Sequence, residues 1–313
     1  MITIDDRALV RMLDFPSLID AIQVAFRSDS IVPERHHHTI SVPERLDATL
    51  LLMPAWCSGQ YVGIKTATIF PSNASVGLPS VMATYLLLDG STGSPLATID
   101  GKMLTVLRTA ATSAWASHIL SRSDATTMTM VGAGSLAIPL VTAHASVRYF
   151  ERIHVWNRST ENAERVVQAL LEKGLPASIS TDLEESVRSS DIISCATLSR
   201  EPLILGRWIR EGSHIDLVGA YTAEMRESDD ALIAMSQVFV DSYAGAKSEA
   251  GDLVQAAASG VWNFDSIKAD LKALATGQSN GRISDSEITV FKSVGSAIED
   301  LAAASLAFEK MQR

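Results

Sequence analysis

The spacing of apolar positions changes several times along this chain. Over residues 6–27 they recur at helical intervals, through Leu13, Leu18, Ile19, Ile22, Val24 and Ala25, and predict a helix. From 36 to 100 the apolar runs are short: 49–53, 61–70 and 81–88, cut by Pro54, Pro71 and Gly90, predict strands. Residues 100–120 return to helical spacing, with Asp100 placed to cap the helix. The polar stretch 121–127 reads as a boundary. Beyond it, strand-like runs at 128–131, 153–156, 191–195, 214–218 and 238–241 alternate with helical or turn segments, the rhythm of a parallel sheet covered by helices. Residues 288–291 predict one more strand. Gly295 then breaks the pattern, and Ser296-Ala297-Ile298-Glu299 has the form of a capping box opening a last helix.

The predicted strand at 128–131 runs into Gly132-Ala133-Gly134-Ser135-Leu136-Ala137. This is the spacing of a dinucleotide-binding turn, with Ala137 as the small residue that lets helix pack on strand. The next strand ends in Asn157-Arg158-Ser159. In such folds an acidic residue at that tip grips the 2′-hydroxyl of NAD, whereas an Arg accommodates a 2′-phosphate. No acid stands there, and Arg158 with Ser159 suits a phosphate through charge-assisted bonds. The cofactor expected is therefore NADPH, with NADH as the alternative.

Composition narrows the class. Hydrophobic residues make up 47% of the 313 and charged residues 20%, as in an ordinary globular protein with room for two domains. A net charge of −10 argues against nucleic-acid or anionic-membrane partners. No run approaches membrane-spanning length, and the Met-Ile-Thr-Ile-Asp-Asp start lacks signal-peptide form, so a cytoplasmic location is expected. Cys57 and Cys195 alone support neither a disulfide framework nor a cysteine metal site. His36-His37-His38 alternates faces on a strand, so the three cannot converge on one ion, and no metal is expected.

Several segments, in order, resemble the ornithine cyclodeaminase/μ-crystallin family: Met53-Pro54-Ala55, Gly63-Ile64-Lys65-Thr66 with Phe70-Pro71-Ser72-Asn73, Leu107-Arg108-Thr109-Ala110-Ala111, the Gly132 turn, Asp216-Leu217-Val218-Gly219-Ala220, and Thr289-Val290-Phe291-Lys292-Ser293-Val294-Gly295. The resemblance implies an α/β fold: a doubly wound Rossmann domain (121–289) inserted in an N-terminal α/β domain for substrate binding and dimerisation (1–120 plus 290–313). It also implies a homodimer. By resemblance Lys65 is catalytic and lies beside substrate, and Arg108 takes the substrate carboxylate with Arg35 as its partner, although Arg45 stands in a similar Pro-Glu-Arg context. From periodicity alone, Arg108 falls roughly 120° from the centre of the Met103, Leu107, Ala110, Ala114 stripe and reads equally as a solvated helix face. The implied cofactor contacts are Thr66, Arg108, Thr109, Gly132, Ala133, Gly134, Ser135, Leu136, Asn157, Arg158, Ser159, Cys195, Ala196, Thr197, Val218, Gly219, Ala220, Ser293, Val294 and Gly295.

One departure separates activities within the family. Its cyclodeaminases carry an acid shortly after the step matching Val218-Gly219, where this chain has Tyr221, a poor base at neutral pH. Glu224 and Glu227 follow and are expected at the start of the next helix, where acids are favoured. The Gly219-Ala220-Tyr221-Thr222 pattern, with Met225-Arg226-Glu227 after it, looks like the ketimine-reductase branch. The expected reaction is NAD(P)H-dependent reduction of the cyclic imino acid Δ1-pyrroline-2-carboxylate to L-proline, with Δ1-piperideine-2-carboxylate to L-pipecolate beside it. The alternatives are ornithine cyclodeamination, an alanine dehydrogenase-like activity, and a non-catalytic NADPH-dependent ligand-binding protein.

Overall fold

The computed structural model describes residues 1–312. They form two compact units: residues 1–109 with the segment from Ser296 onward, and Ala110–Gly295 inserted between them. These divisions differ from the expected 120/121 and 289/290. Ser113 bonds Asp216 and the Leu120 carbonyl accepts from Thr289, which ties residues 110–120 to the second unit. At the other end Ser293 donates to the Leu217 carbonyl.

The first unit begins with β1 (Ile2–Ile4), α1 (Asp6–Met12) and α2 (Phe15–Arg27). The single helix expected over 6–27 is thus two. Asp14 caps the second by accepting from the Ser17 amide, and Pro16 sits in its first turn, where its missing N–H costs nothing. Val24, read as apolar-face, points outward. There follow β2 (His36–Ile40), β3 (Ala48–Cys57), β4 (Tyr61–Ile69), β5 (Val81–Asp89), β6 (Pro95–Asp100) and α3 (Gly101–Leu120). The sheet order is β1-β6-β5-β4-β3-β2, antiparallel except for β1 against β6. Pro54 does not cut β3 as expected. The register of β2 covers only Ala48–Leu52, so Pro54 has a ladder partner on one side, Ile64, and its lost donor is tolerated. Asp100 does cap α3, accepting from the Met103 amide at 2.6 Å.

The second unit holds β7 (Thr127–Val131), α4 (Ala137–Val147), β8 (Arg152–Trp156), α5 (Thr160–Glu172), β9 (Ala177–Ile179), α6 (Leu183–Ser189), β10 (Ile192–Cys195), β11 (His214–Leu217), α7 (Asp230–Met235), β12 (Gln237–Val240), α8 (Tyr243–Glu249), α9 (Gly251–Ala258), β13 (Ala269–Asp270), α10 (Leu271–Ala275) and β14 (Thr289–Lys292). All its strands are parallel, in the order β13-β12-β14-β11-β10-β7-β8-β9. Strand order reverses at β7, which makes this a doubly wound Rossmann sheet with its switch point at the glycine turn. Its core is built from the strand interiors (Val131, Ile193, Ile215, Val238, Val290) against Leu232, Leu253 and Trp262. The last helix, α11 (Ala297–Met311), returns to the first unit and packs on β3, β4, β5 and α2. No described helix is long and apolar enough to cross a membrane.

Candidate active site

In the second unit, parallel strands bring five loops to one edge. Gly132–Leu136 follow β7, Asn157–Ser159 follow β8, Ala196 and Thr197 follow β10, Val218–Ala220 follow β11, and Ser293–Gly295 follow β14. This is the carboxyl edge, where doubly wound sheets bind ligands. Gly132 has φ +108°, and a side chain there would strike the Ala196 carbonyl. Gly134 is under neither constraint; the space beside it is open. Leu136, which leads into α4, makes no side-chain capping bond, and of the opening amides that of Ala137 donates to the Gly134 carbonyl. A bare backbone at a helix N-terminus suits a pyrophosphate, so these residues fit a dinucleotide. Arg158 is exposed at the tip of β8, and Ser159 caps α5 by accepting from the Asn162 amide. Cys195 is fully buried, and burial pushes its thiol well above the usual range, which removes it as a nucleophile.

Behind this edge lies a buried carboxylate that the sequence reading misplaced. Glu227 is not at a helix start: α7 begins at Asp230 with Asp229 as its cap. Instead Glu227 is fully buried. Its Oε1 accepts from the Thr197 amide (2.6 Å) and hydroxyl (2.8 Å), and its Oε2 from the Gly219 amide (2.7 Å). It therefore joins the loops after β10 and β11. Asp252 in turn accepts from the Glu227 and Ser228 amides, and Lys292 lies 3.3 Å from its other oxygen. Burial raises the Glu227 carboxyl to about 7; Lys292 opposes that shift and Asp252 adds to it. Tyr221, at the position where cyclodeaminases carry an acid, has its phenol raised by burial and is a still poorer base than an exposed Tyr.

In the first unit a second cluster forms around Lys65. Lys65 faces inward from β4, directly opposite Tyr85 of β5 and Met53 of β3. It is 3% exposed. Its Nζ lies 2.7 Å from Asp300 Oδ2 and donates to Thr105 Oγ1 at 3.3 Å. Arg108 is 5% exposed, which overturns the solvated-face reading. α3 is buried nearly all round, so its apolar stripe assigns no face to water. The Arg108 Nε donates to Asp300 Oδ1 (3.1 Å) and its Nη1 to Glu299 Oε2 (2.5 Å). Burial pulls the Lys65 ammonium down to about 8. Asp300 works against that, while the charges of Arg108 and Arg35 add to it. Arg35 is thus within electrostatic reach of Lys65. Thr66 points to the opposite face of β4 and is exposed, apart from this cluster, whereas Thr109 is buried beside Arg108 in α3.

Glu299 and Asp300 were not among the expected site residues. The Ser296–Glu299 spacing matched a capping box, but Ser296 makes no side-chain cap and the Glu299 carboxylate turns to Arg108. A buried Arg at position 108 was the signal that acidic partners had to exist.

A sequence model of the ornithine cyclodeaminase/mu-crystallin family matches residues 6–313. Among curated relatives, Protein SAR DEFICIENT 4 of Arabidopsis thaliana is 40% identical over 88% of this chain and 86% of its own. The Δ1-pyrroline-2-carboxylate reductase of Paracoccus denitrificans is 38% identical over 88% of this chain and 90% of its own. Among solved structures, Thermococcus litoralis Δ1-pyrroline-2-carboxylate reductase, in complex with NADH and L-proline, superimposes with a TM-score of 0.93 at 34% identity, over 100% of this chain and 98% of that one. With the inserted Rossmann unit, the glycine turn and the Lys65–Arg108 cluster all in place, the chain belongs to the ornithine cyclodeaminase/mu-crystallin family.

Proposed function

We propose that this protein reduces Δ1-pyrroline-2-carboxylate to L-proline with a reduced nicotinamide cofactor, and takes the six-membered Δ1-piperideine-2-carboxylate as a second substrate. The observation that carries the reading is the pairing of a buried, ionisable Lys65 with a buried Arg108 on one carboxylate, Asp300. Similarity to the reductases of Paracoccus denitrificans and Thermococcus litoralis supports it.

Reduction of a C=N bond adds a hydride at carbon and a proton at nitrogen. The nicotinamide, when bound, supplies the hydride. The chain's own residues do the rest. Arg108, with Arg35, holds the substrate carboxylate, for which a guanidinium fork is the matched partner. Lys65, with an ammonium that titrates at about 8, is charged at neutral pH yet gives up its proton readily, so it serves as donor to the imine nitrogen. Tyr221 in place of an acid weighs against ornithine cyclodeamination. Arg158 at the tip of β8 favours NADPH over NADH through its charge on a 2′-phosphate.

The open face of the first unit's sheet carries Pro54, Ile64 and Leu86 in register, flanked by Trp56, Val62 and Leu88, all half-buried. A second copy of this chain covers that face in a homodimer; light scattering behind gel filtration giving one chain's mass would overturn it.

The first experiment follows absorbance at 340 nm with Δ1-pyrroline-2-carboxylate and NADPH or NADH in parallel. Loss of signal with proline formed is the expected result, and a higher kcat/KM with NADPH that falls in Arg158→Ala would support the cofactor reading. Ammonia from ornithine without net cofactor change would replace the reductase by the cyclodeaminase, and no turnover of either kind would favour a binding protein.

A further inference from the structure

We propose that Asp300 is the positioning residue of this site, holding the Lys65 ammonium and the Arg108 guanidinium as one unit through its two carboxylate oxygens. The inference rests on the reductase reading for its consequence, but not for its geometry. Asp300 is fully buried, and each oxygen serves one cation: Oδ2 stands 2.7 Å from Lys65 Nζ and Oδ1 accepts from Arg108 Nε at 3.1 Å. The three come from separate elements, Lys65 from β4, Arg108 from α3 and Asp300 from α11, and Asp300 contacts both cations.

The remaining contacts fix directions. Thr105 donates its hydroxyl to the Gly101 carbonyl, so its oxygen is turned to accept from Lys65. An ammonium has three N–H bonds. Thr105 accepts one and Asp300 Oδ2 is ion-paired beside the ammonium at 2.7 Å, and among the described residues no other acceptor takes a further N–H bond. That bond is the one left for a substrate nitrogen. Arg108 is oriented in the same way, with Nε on Asp300 and Nη1 on Glu299. A single carboxylate thus sets the angle between proton donor and carboxylate clamp, the two points that orient a cyclic imino acid.

Asp300 also acts on charge. The groups facing Lys65 are Asp300 from α11, Arg108 from α3, Arg35 from the segment before β2 and the Tyr85 hydroxyl from β5. Of these, Asp300 alone favours the protonated amine. Burial and the two guanidinium groups oppose it. Replacing Asp300 by a neutral isostere therefore leaves Lys65 poorer in proton and free to turn.

The test uses two readouts on Asp300→Asn, Asp300→Glu and Glu299→Gln. Lys65 is titrated directly by NMR of 13Cε-labelled lysine, assigned with Lys65→Arg. In Asp300→Asn its midpoint is expected to fall by about one pH unit or more. Asp300→Glu should restore most of it. Glu299→Gln, which alters a carboxylate bound to Arg108 and not to Asp300's oxygens, should leave the midpoint nearer the wild type while raising KM. In turnover, the alkaline limb of kcat/KM should move down with the midpoint in Asp300→Asn, with kcat falling more than cofactor affinity. If Asp300→Asn does not fold, Asp300→Glu carries the test through a raised KM at normal cofactor binding, because the longer arm keeps the charge but displaces both cations. An unmoved Lys65 midpoint in folded Asp300→Asn, or a fully normal Asp300→Glu beside an unfolded Asp300→Asn, overturns the inference. A shifted midpoint in a protein that does not reduce Δ1-pyrroline-2-carboxylate would instead overturn the reductase reading and leave Asp300 in its role.

Discussion

The buried charge clusters around Lys65 and around Glu227 use their carboxylates differently. In the first unit, Asp300 and Glu299 are bound by the side chains of Lys65 and Arg108. In the second, Glu227 and Asp252 accept chiefly from backbone amides, those of Thr197, Gly219, Glu227 and Ser228, with Lys292 as the nearby cation. A carboxylate bound by side chains aims those side chains at something else. A carboxylate bound by amides fixes the path of the chain. The first cluster is therefore read as chemistry and the second as the brace of the loops at the carboxyl edge.

The largest effect that would test this contrast is in the first cluster. Lys65→Met should lower kcat by about 10²-fold or more, the usual contribution of a general acid, while cofactor binding by fluorescence titration stays within about twofold. Full activity would remove Lys65 from the proton path. Next comes Arg108→Lys. It keeps the charge that Glu299 and Asp300 require but loses the fork, so KM for the imino acid should rise about tenfold with a smaller change in kcat. The shorter route, Arg108→Leu, would take the guanidinium from two buried carboxylates, leaving Asp300 with Lys65, and destabilise the fold by about 3–5 kcal/mol, which confounds any kinetic reading.

The second cluster should respond in the opposite sense. Glu227→Gln places an amide N–H₂ against a backbone donor in either orientation of the side chain, so one of the two loops must give. Cofactor Kd should rise several-fold while the KM for the imino acid, extrapolated to saturating cofactor, changes less. Equal effects on both would mean that the brace is not local. The smallest effect is in pH dependence. The Glu227 carboxyl is raised from an ordinary 4.5 to about 7. Between those values the unfolded chain binds fewer protons than the folded one, so this group costs stability progressively as pH climbs from about 4.5 to 7, and its cost is constant above. Urea unfolding at pH 5 and pH 7 should show the wild type losing ground relative to Glu227→Gln over that interval; parallel curves would contradict the assignment.

Much of the fold was legible because parallel strands buried on both faces write themselves as short apolar runs. The six runs read from 128 onward coincide, within a residue or so, with β7, β8, β10, β11, β12 and β14. The strands β9 and β13 went unread because three and two residues carry no usable period. The break between α1 and α2 lay in view as Asp14 and Pro16, yet apolar spacing carried across it. The site was legible where backbone chemistry demands a residue type, as at Gly132, whose φ of +108° admits little else. It was illegible where a charge answers a distant charge. Glu299 matched a local capping pattern, and nothing in its neighbourhood could announce an Arg 191 positions earlier. Glu227 likewise looked like helix-start decoration until burial showed what it holds.

The sequence distance in the first cluster has a consequence for how this protein is made. Lys65 and Arg108 leave the ribosome with the opening strands and α3, but Glu299 and Asp300 arrive only with α11, after the whole inserted unit has been synthesised. Until then the opening segment holds two cations destined for a buried place with nothing to neutralise them. Its collapse waits on the last helix. A chain broken off anywhere before Ser296 is therefore left without a closed first unit, whatever the state of its second. A product terminated before Ser296 lacks both acidic partners of the first cluster, and should be the more open to proteases for it.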